Sequence, residues 1–323
     1  MPEKLFGGRL TSRDRVEKCA EALSHGSLIA FPTETVYGLG ADADNEVAVK
    51  RIYAVKNRPK DHPLIVHIGE LDKVDLWTNK VPTYAKSLMR DYWPGPLTLI
   101  FKSVSAKAFI TGDQDSVGIR MPANDIAMEL LHHFHFLGGR GIAAPSANRF
   151  GAVSPTSAHA VEEEIGSRLE VGDYIIDGGQ CEIGIESTIV DCTADLPRIL
   201  RPGAISALMI NKSTKMQLEQ RNEIIRVPGL LEKHYSPKAV VFTEGQIKEG
   251  DGFLALSDIA TPRGAIRIAS PKSVEEFARV LYSSLRRADS KGLERVQIIC
   301  PTGPGIALAI RDRVQKASVL SQD

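Results

Sequence analysis

Residues 11–56 read TSRDRVEKCAEALSHGSLIAFPTETVYGLGADADNEVAVKRIYAVK, and their order decides the fold class. Thr11-Ser-Arg-Asp14 has the spacing of a capping box, in which side-chain oxygens satisfy the free N–H groups of a helix's first turn. Val16, Ala20 and Leu23 then recur on one face, and Gly26 closes the helix. The run SLIAF (27–31) is short and apolar, as a buried strand is, and stops at Pro32. A loop, PTETVYGLGADADNE, follows it. A second helix is expected over Val47 to Lys56, with Val47, Ile52 and Val55 apolar and Pro59 marking its end.

The same alternation extends outward. Strand-like runs recur at PLIVHI (63–68), LTLIFKS (97–103) after the turn WPGP, SVGIRMP (116–122), GIAAPSAN (141–148), YIIDGG (174–179) and ESTIVD (186–191). Helical patterns lie between several of them, near 82–92, 124–135 and 156–165. Interleaved strands and helices without a repeat predict an α/β domain with a mixed sheet. Residues 203–237 are polar and show no clear period over much of their length, which reads as a linker. Beyond it AVVFT, GFLALS, AIRIAS, a helix near 273–289, VQIICP and a helix near 305–317 predict a second, smaller α/β domain.

The chain has 323 residues, 43% of them apolar and 25% charged, a globular composition with room for two domains. Forty basic residues balance forty acidic ones, so the chain as a whole is not a polycation for coating nucleic acid or an anionic membrane. Acidic residues exceed basic ones by five up to residue 210, and the reverse holds after it. An anion site in the first part must therefore be a local cluster. Cys19, Cys181, Cys192 and Cys300 form no CxxC pair, which removes the usual zinc spacings and fits a reducing compartment. With no signal-peptide core or membrane-length apolar run, a cytoplasmic protein is expected.

Nucleotide-loop, zinc-protease, serine-hydrolase and calcium-loop patterns are missing. Gly303-Pro-Gly305 precedes a helix but lacks a third glycine, so tight strand-to-helix packing is the better reading. Four loops at strand ends carry the chemistry. Pro32–Gly40 sets Thr33, Glu34, Thr35 and Tyr37 beside a turn, either as caps or as ligand contacts. Lys56-Asn-Arg58-Pro-Lys-Asp-His62 puts cations at a helix C-terminus, where they suit either the dipole or a polyphosphate. His67 follows on the next strand and is ambiguous. Ala144-Pro-Ser146-Ala-Asn148, with Arg149 and Ser154, offers short hydrogen-bonding groups for a turn, a phosphate or a ribose. Glu186-Ser187-Thr188 and Arg201-Pro-Gly203 form the fourth group, and Arg120 joins them. An arginine within an apolar strand needs a buried anionic partner, from protein or ligand. Positive charge and hydroxyls without an obvious nucleophile–base pair favour nucleotide chemistry by positioning and charge neutralisation.

FPTETVYGLGADA, IYxxKxRPxxxPLIVHI, WPGPLT, APSANxxGxxSPT, GIESTIVD and ILRPGAI occur in one order. Together they closely resemble the YrdC-like threonylcarbamoyl-AMP synthases, over most of residues 12–205. VPGLLEKHYSPK and the tail are similar to the linker and extra domain of the family's long form. The resemblance implies a twisted mixed sheet with flanking helices over 12–205, a linker or lid over 206–237, and a small Rossmann-like α/β domain over 238–323. It implies a nucleotidyltransferase that converts L-threonine, bicarbonate or carbon dioxide, and ATP into threonylcarbamoyl-AMP and pyrophosphate. The product would serve a downstream transferase complex that modifies adenosine in ANN-decoding tRNAs.

By the same resemblance, Lys56 and Arg58 would be catalytic. Thr35, His67, Arg120, Ala144 and Ser187 would surround L-threonine, Ala144 through its main chain only. Arg58, His62, Ser116, Ser146, Asn148, Ser154, Arg201 and Tyr235 would meet ATP, with magnesium bound alongside and its protein ligands unassigned. His62 stands where the family more often has asparagine, so its charge depends on pH. A non-catalytic RNA-binding module is disfavoured by the acidic first part and the lack of aromatic–basic clusters. A hydrogenase-maturation carbamoyl transferase is disfavoured by the missing CxxC zinc fingers. The intact KxR and SxN residues argue against an ATP-binding regulator without turnover. Direct tRNA binding and oligomeric state stay open at this level.

Overall fold

The computed structural model describes residues 12–219, 225–229 and 235–318. Thr11 of the expected capping box lies outside them, as do residues 230–234 of the linker motif. Strands β1 (Ile29–Phe31), β2 (Gly38–Asp42), β3 (Ile65–His67), β4 (Leu97–Lys102), β5 (Ser116–Arg120), β6 (Ile142–Ala143), β7 (Tyr174–Ile175), β8 (Thr188–Asp191) and β9 (Arg198–Arg201) form one sheet. Its order is β7-β1-β2-β6-β3-β5-β4-β8-β9. Pairings β1–β7, β3–β5 and β4–β8 are parallel and the rest antiparallel, the expected mixed sheet. Helices α1 (Ser12–Ser24), α2 (Glu46–Lys56), α3 (Thr83–Tyr92), α4 (Ala108–Thr111), α5 (Asp125–Phe136) and α6 (Ala158–Ile165) interleave with these strands.

Two local differences from the sequence reading stand out. Gly38–Asp42 is a strand, not part of a loop, although glycine and aspartate disfavour strands. Pairing to β1 on one side and β6 on the other outweighs that propensity. The stretch 203–237 also contains a helix, α7 (Ala207–Thr214), capped by the Ser206 hydroxyl. Ile210 is its one buried residue among those described, so no apolar stripe announces it.

Helix α2 explains how a lysine comes to be buried. Its inward stripe runs Val49, Ile52, Tyr53 and Lys56, spaced three and four apart, while Val47 points to solvent. Asn45 caps the start and Asn57, in the left-handed region, ends the helix. Lys56 thus lies on the core face in the last turn.

The second domain has four parallel strands, β10 (Val240–Phe242), β11 (Gly252–Leu254), β12 (Ile266–Ala269) and β13 (Arg295–Ile298), in the order β10-β13-β11-β12. Helices α8 (Val274–Ser290) and α9 (Ile306–Ser318) pack on it. Along α8, Phe277, Ala278, Leu281, Tyr282, Leu285 and Ala288 form one buried stripe. The apolar cluster of this domain also takes in Val36, Val153 and Ile185 from the first domain and Tyr235 from the linker. The two domains therefore share a core exactly where the site loops lie beside it. Among the described residues, no helix is long and apolar enough to cross a membrane.

Candidate active site

Sheet register sets the floor of the site. His67 and Arg120 are partners across β3 and β5, and Thr98 of β4 is the next partner of Arg120. Paired positions share a face, so these three side chains stand abreast. Ser187, just before β8, bonds Thr98 Oγ1 at 2.8 Å and extends the row. The loop after β1 and the loop after β6 interlock above it, with Leu39 N donating to Pro145 O at 2.9 Å and Ala147 N to Tyr37 O at 2.8 Å.

The resulting cleft contains about 560 Å³ of empty space, part of it open to solvent. Of the residues singled out in the sequence, Arg58, His67, Arg120, Ala144, Ser146, Ser187, Arg201 and Tyr235 line it together. Four others stand behind the lining. Thr35 accepts from Arg120 Nη2 at 2.8 Å. Lys56 Nζ donates to the carbonyls of Ser146, at 2.6 Å, and Asn148. Asn148 Nδ2 donates to Arg149 O and Ala152 O, and its buried Oδ1 has no partner. Ser154 Oγ donates to Glu186 Oε1 at 2.6 Å. Two more lie beside the cleft: His62 packs edge-on against Phe150, and Ser116 lines a smaller adjoining depression with Ile65 and Pro228.

The cations differ in how they are neutralised. Arg120, 5% exposed, pairs with Glu34 at 2.8 Å, which answers the question its strand posed. Arg58 donates from Nη2 to Pro63 O and lies over the Phe150 ring; Asp61 acts on it, but no carboxylate of the described residues is hydrogen-bonded to it. Burial holds its pKa down at about 10. Arg201 donates to Ser187 O, Ser187 Oγ and Pro228 O, all uncharged groups. Burial, then the neighbouring Arg58, pushes Lys56 well below the ordinary lysine value. Among the described residues neither Arg58 nor Arg201 is hydrogen-bonded to a carboxylate, although Asp61 acts on the first and Glu186 on the second, and a bound anion would recover the remaining cost of burying them.

Sequence reasoning missed the support behind Glu186 and Tyr235. Tyr282 of α8 and Arg313 of α9 both bond Glu186 Oε2, at 2.8 and 2.9 Å. A signal did exist, because Arg313 interrupts the buried stripe of Ile310, Val314 and Ala317. Tyr235 stacks on Tyr282 with ring centres 5.5 Å apart and lies under the Arg313 guanidinium. Gly229, at φ +83°, makes room for it: a Cβ there would meet the Tyr235 hydroxyl at 2.4 Å.

Acid should destabilise this arrangement through two groups. Burial, then Arg120, lowers the His67 pKa to about 3 from 6.5, so the unfolded chain binds a proton that the native site refuses. Stability is lost as pH falls through that window. Burial alone would raise Glu186, but Arg313 and Arg201 hold it at about 2 against 4.5. Its contribution is present above 4.5 and lost as pH falls toward 2. We predict that calorimetric melts show a steep loss of Tm below about pH 6.5, and that His67→Gln removes the upper part of that slope. An unchanged slope in His67→Gln would rule out a buried neutral imidazole.

An α/β sheet whose strand ends and loops build a cleft of buried arginines and hydroxyls defines a protein with a site for an anionic ligand. The chain belongs to the Sua5/YciO/YrdC family, in its two-domain threonylcarbamoyl-AMP synthase form. The family model described as "Telomere recombination" matches residues 21–203, and that of the "Threonylcarbamoyl-AMP synthase, C-terminal domain" matches 204–319. The threonylcarbamoyl-AMP synthase of Pyrococcus abyssi is 38% identical over 95% of this chain and 96% of its own. That of Bacillus subtilis is 36% identical over 95% and 94%. Among solved structures, P. abyssi Sua5 complexed with L-threonine superposes with a TM-score of 0.84 at 34% identity, covering 98% of this chain and 97% of that one.

Proposed function

We propose that this chain is an L-threonylcarbamoyladenylate synthase, forming threonylcarbamoyl-AMP and pyrophosphate from L-threonine, bicarbonate or carbon dioxide, and ATP. One observation carries the reading: Arg58 and Arg201 are buried in a single cleft, and among the described residues no carboxylate is hydrogen-bonded to either. Such a site is completed by a polyanion such as a triphosphate. Across the floor, Arg120 offers a fork for the amino-acid carboxylate, with Thr35, His67, Ser187 and the Ala144 main chain around it. The neutral His67 has an unpartnered buried Nδ1 that can accept from the threonine amine. Ser146, Asn148, Ser154, His62, Ser116 and Tyr235 complete the nucleotide side. For Asn148 the free Oδ1 is the available group, and Ser154 acts through Glu186.

In this reading the threonine amine captures carbon dioxide as a carbamate. A carbamate oxygen attacks the α-phosphorus and pyrophosphate leaves. Arg58 and Arg201 offset the charge that builds on the phosphates, and Lys56 holds the Ser146–Asn148 loop in place. Tyr235 and the linker cover the site and exclude water from two hydrolysable species. Glu34 and Glu186 are both engaged by arginines, and no cluster of metal-ligating side chains exists among the described residues. Magnesium therefore enters with ATP, on its phosphate oxygens, as part of the substrate. The product supplies a tRNA threonylcarbamoyl transferase complex in the cytoplasm.

The purified protein with ATP and magnesium should release pyrophosphate only when both L-threonine and bicarbonate are present. It should also yield the acyl-adenylate, detected by mass spectrometry. Pyrophosphate release indifferent to threonine would reject the assignment.

A further inference from the structure

Arg313 belongs to the second domain and pairs through Nη1 with its neighbour Asp312, yet its other contacts are with groups at the cleft of the first. It is 1% exposed. Nε donates to Glu186 Oε2 at 2.9 Å, and Nη2 donates to Pro202 O at 3.0 Å. The guanidinium carbon lies 5.3 Å from the centre of the Tyr235 ring. Glu186 and Pro202 are the chain neighbours of Ser187 and Arg201, which line the cleft and bond each other. One turn further along α9, Lys316 Nζ donates to Gly229 O at 2.8 Å, next to the Pro228 carbonyl that Arg201 holds at 2.9 Å. A single helix of the second domain therefore reaches the cleft residues Glu186, Gly229 and Tyr235 directly, and Ser187 and Arg201 through their chain neighbours.

The backing of the loop is equally tight. Gly184, at φ +82°, leads into Glu186, and a Cβ there would stand 2.5 Å from Arg279 Cα of α8. Glu186 then receives donors from both domains, Ser154 on one oxygen and Tyr282 and Arg313 on the other. An interface needed only for cohesion is made at least as well by apolar side chains, because burying charges costs several kcal/mol per ion. Here Arg313 and Lys316, besides pairing with Asp312 on their own helix, reach Glu186 and Gly229 of the cleft, while the apolar cluster beside them already joins the domains.

We propose that Arg313 is a positioning residue, a latch that seats Glu186 and Tyr235 at the cleft so that α9 keeps water from the acyl-adenylate. This rests on the synthase reading above. Loosening the latch lets water attack the carbamoyl carbon. The C–O bond of the mixed anhydride then breaks, AMP departs, and the carbamic acid loses carbon dioxide to regenerate threonine. ATP is then consumed without net product.

The test uses the full-length chain and follows pyrophosphate and intact threonylcarbamoyl-AMP together. Arg313→Gln should raise KM for ATP about tenfold and raise the ratio of pyrophosphate to intact product several-fold, as loss of a lid contact does. Arg313→Lys, which keeps the charge, should fall between it and the parent. If Arg313→Gln fails to fold because Glu186 is stranded, Arg313→Gln combined with Glu186→Gln removes that charge and should fold with the same raised ratio. Unchanged KM and an unchanged ratio in a folded variant would overturn the latch. A parent chain without threonine-dependent pyrophosphate release would instead overturn the synthase reading.

Discussion

Arg58→Ala will abolish threonine-dependent pyrophosphate release, by at least ~100-fold, the order seen when a preorganised charge-stabilising donor is removed. The fold will survive the change. Arg58 is 8% exposed, gives one hydrogen bond to Pro63 O and, among the described residues, is hydrogen-bonded to no carboxylate. Deleting a cation of this kind removes a desolvation cost along with a contact, so Tm should stay level or rise. Pyrophosphate assays and calorimetry on the same preparation check both halves. Near-normal turnover would show that the cleft does not use this charge. A large fall in Tm would show that the guanidinium is structural.

Arg120→Leu will fail in the opposite way. It strands Glu34, which is 4% exposed and whose oxygens have no hydrogen-bond donor apart from the Arg120 ion pair. Breaking such a pair costs about 3–5 kcal/mol. Adding Glu34→Leu removes the orphan charge and should restore most of that stability in chemical denaturation. It should not restore L-threonine binding by titration calorimetry, because the fork for the carboxylate is still missing. Threonine affinity retained in the double variant would separate Arg120 from the amino-acid site.

The two arginines show what kind of information each level holds. A charged residue inside SVGIRMP announces a buried partner in the sequence, but only the fold supplies Glu34. Arg58 reads equally well as a helix-end cation or a phosphate contact until the structure places it in the lining of the cleft. Lys56 was legible as a cation at a helix end. Its position on the buried stripe of α2, and hence its hold on the Ser146 and Asn148 carbonyls, needed the structure.

The alternation of elements, the mixed sheet, the second α/β domain and the four loops that carry the site are all legible in the residue order. They are recorded locally, in periodicity, caps and proline or glycine breaks, because each depends on residues within a turn or two of one another. Packing and pairing were needed to make Gly38–Asp42 a strand and Ala207–Thr214 a helix, and to bring α8 and α9 behind Glu186 and Tyr235 of the cleft. Those outcomes depend on pairing and burial between residues as distant as Glu186 and Arg313, 127 positions apart. No local pattern encodes a contact whose partner is that far along the chain.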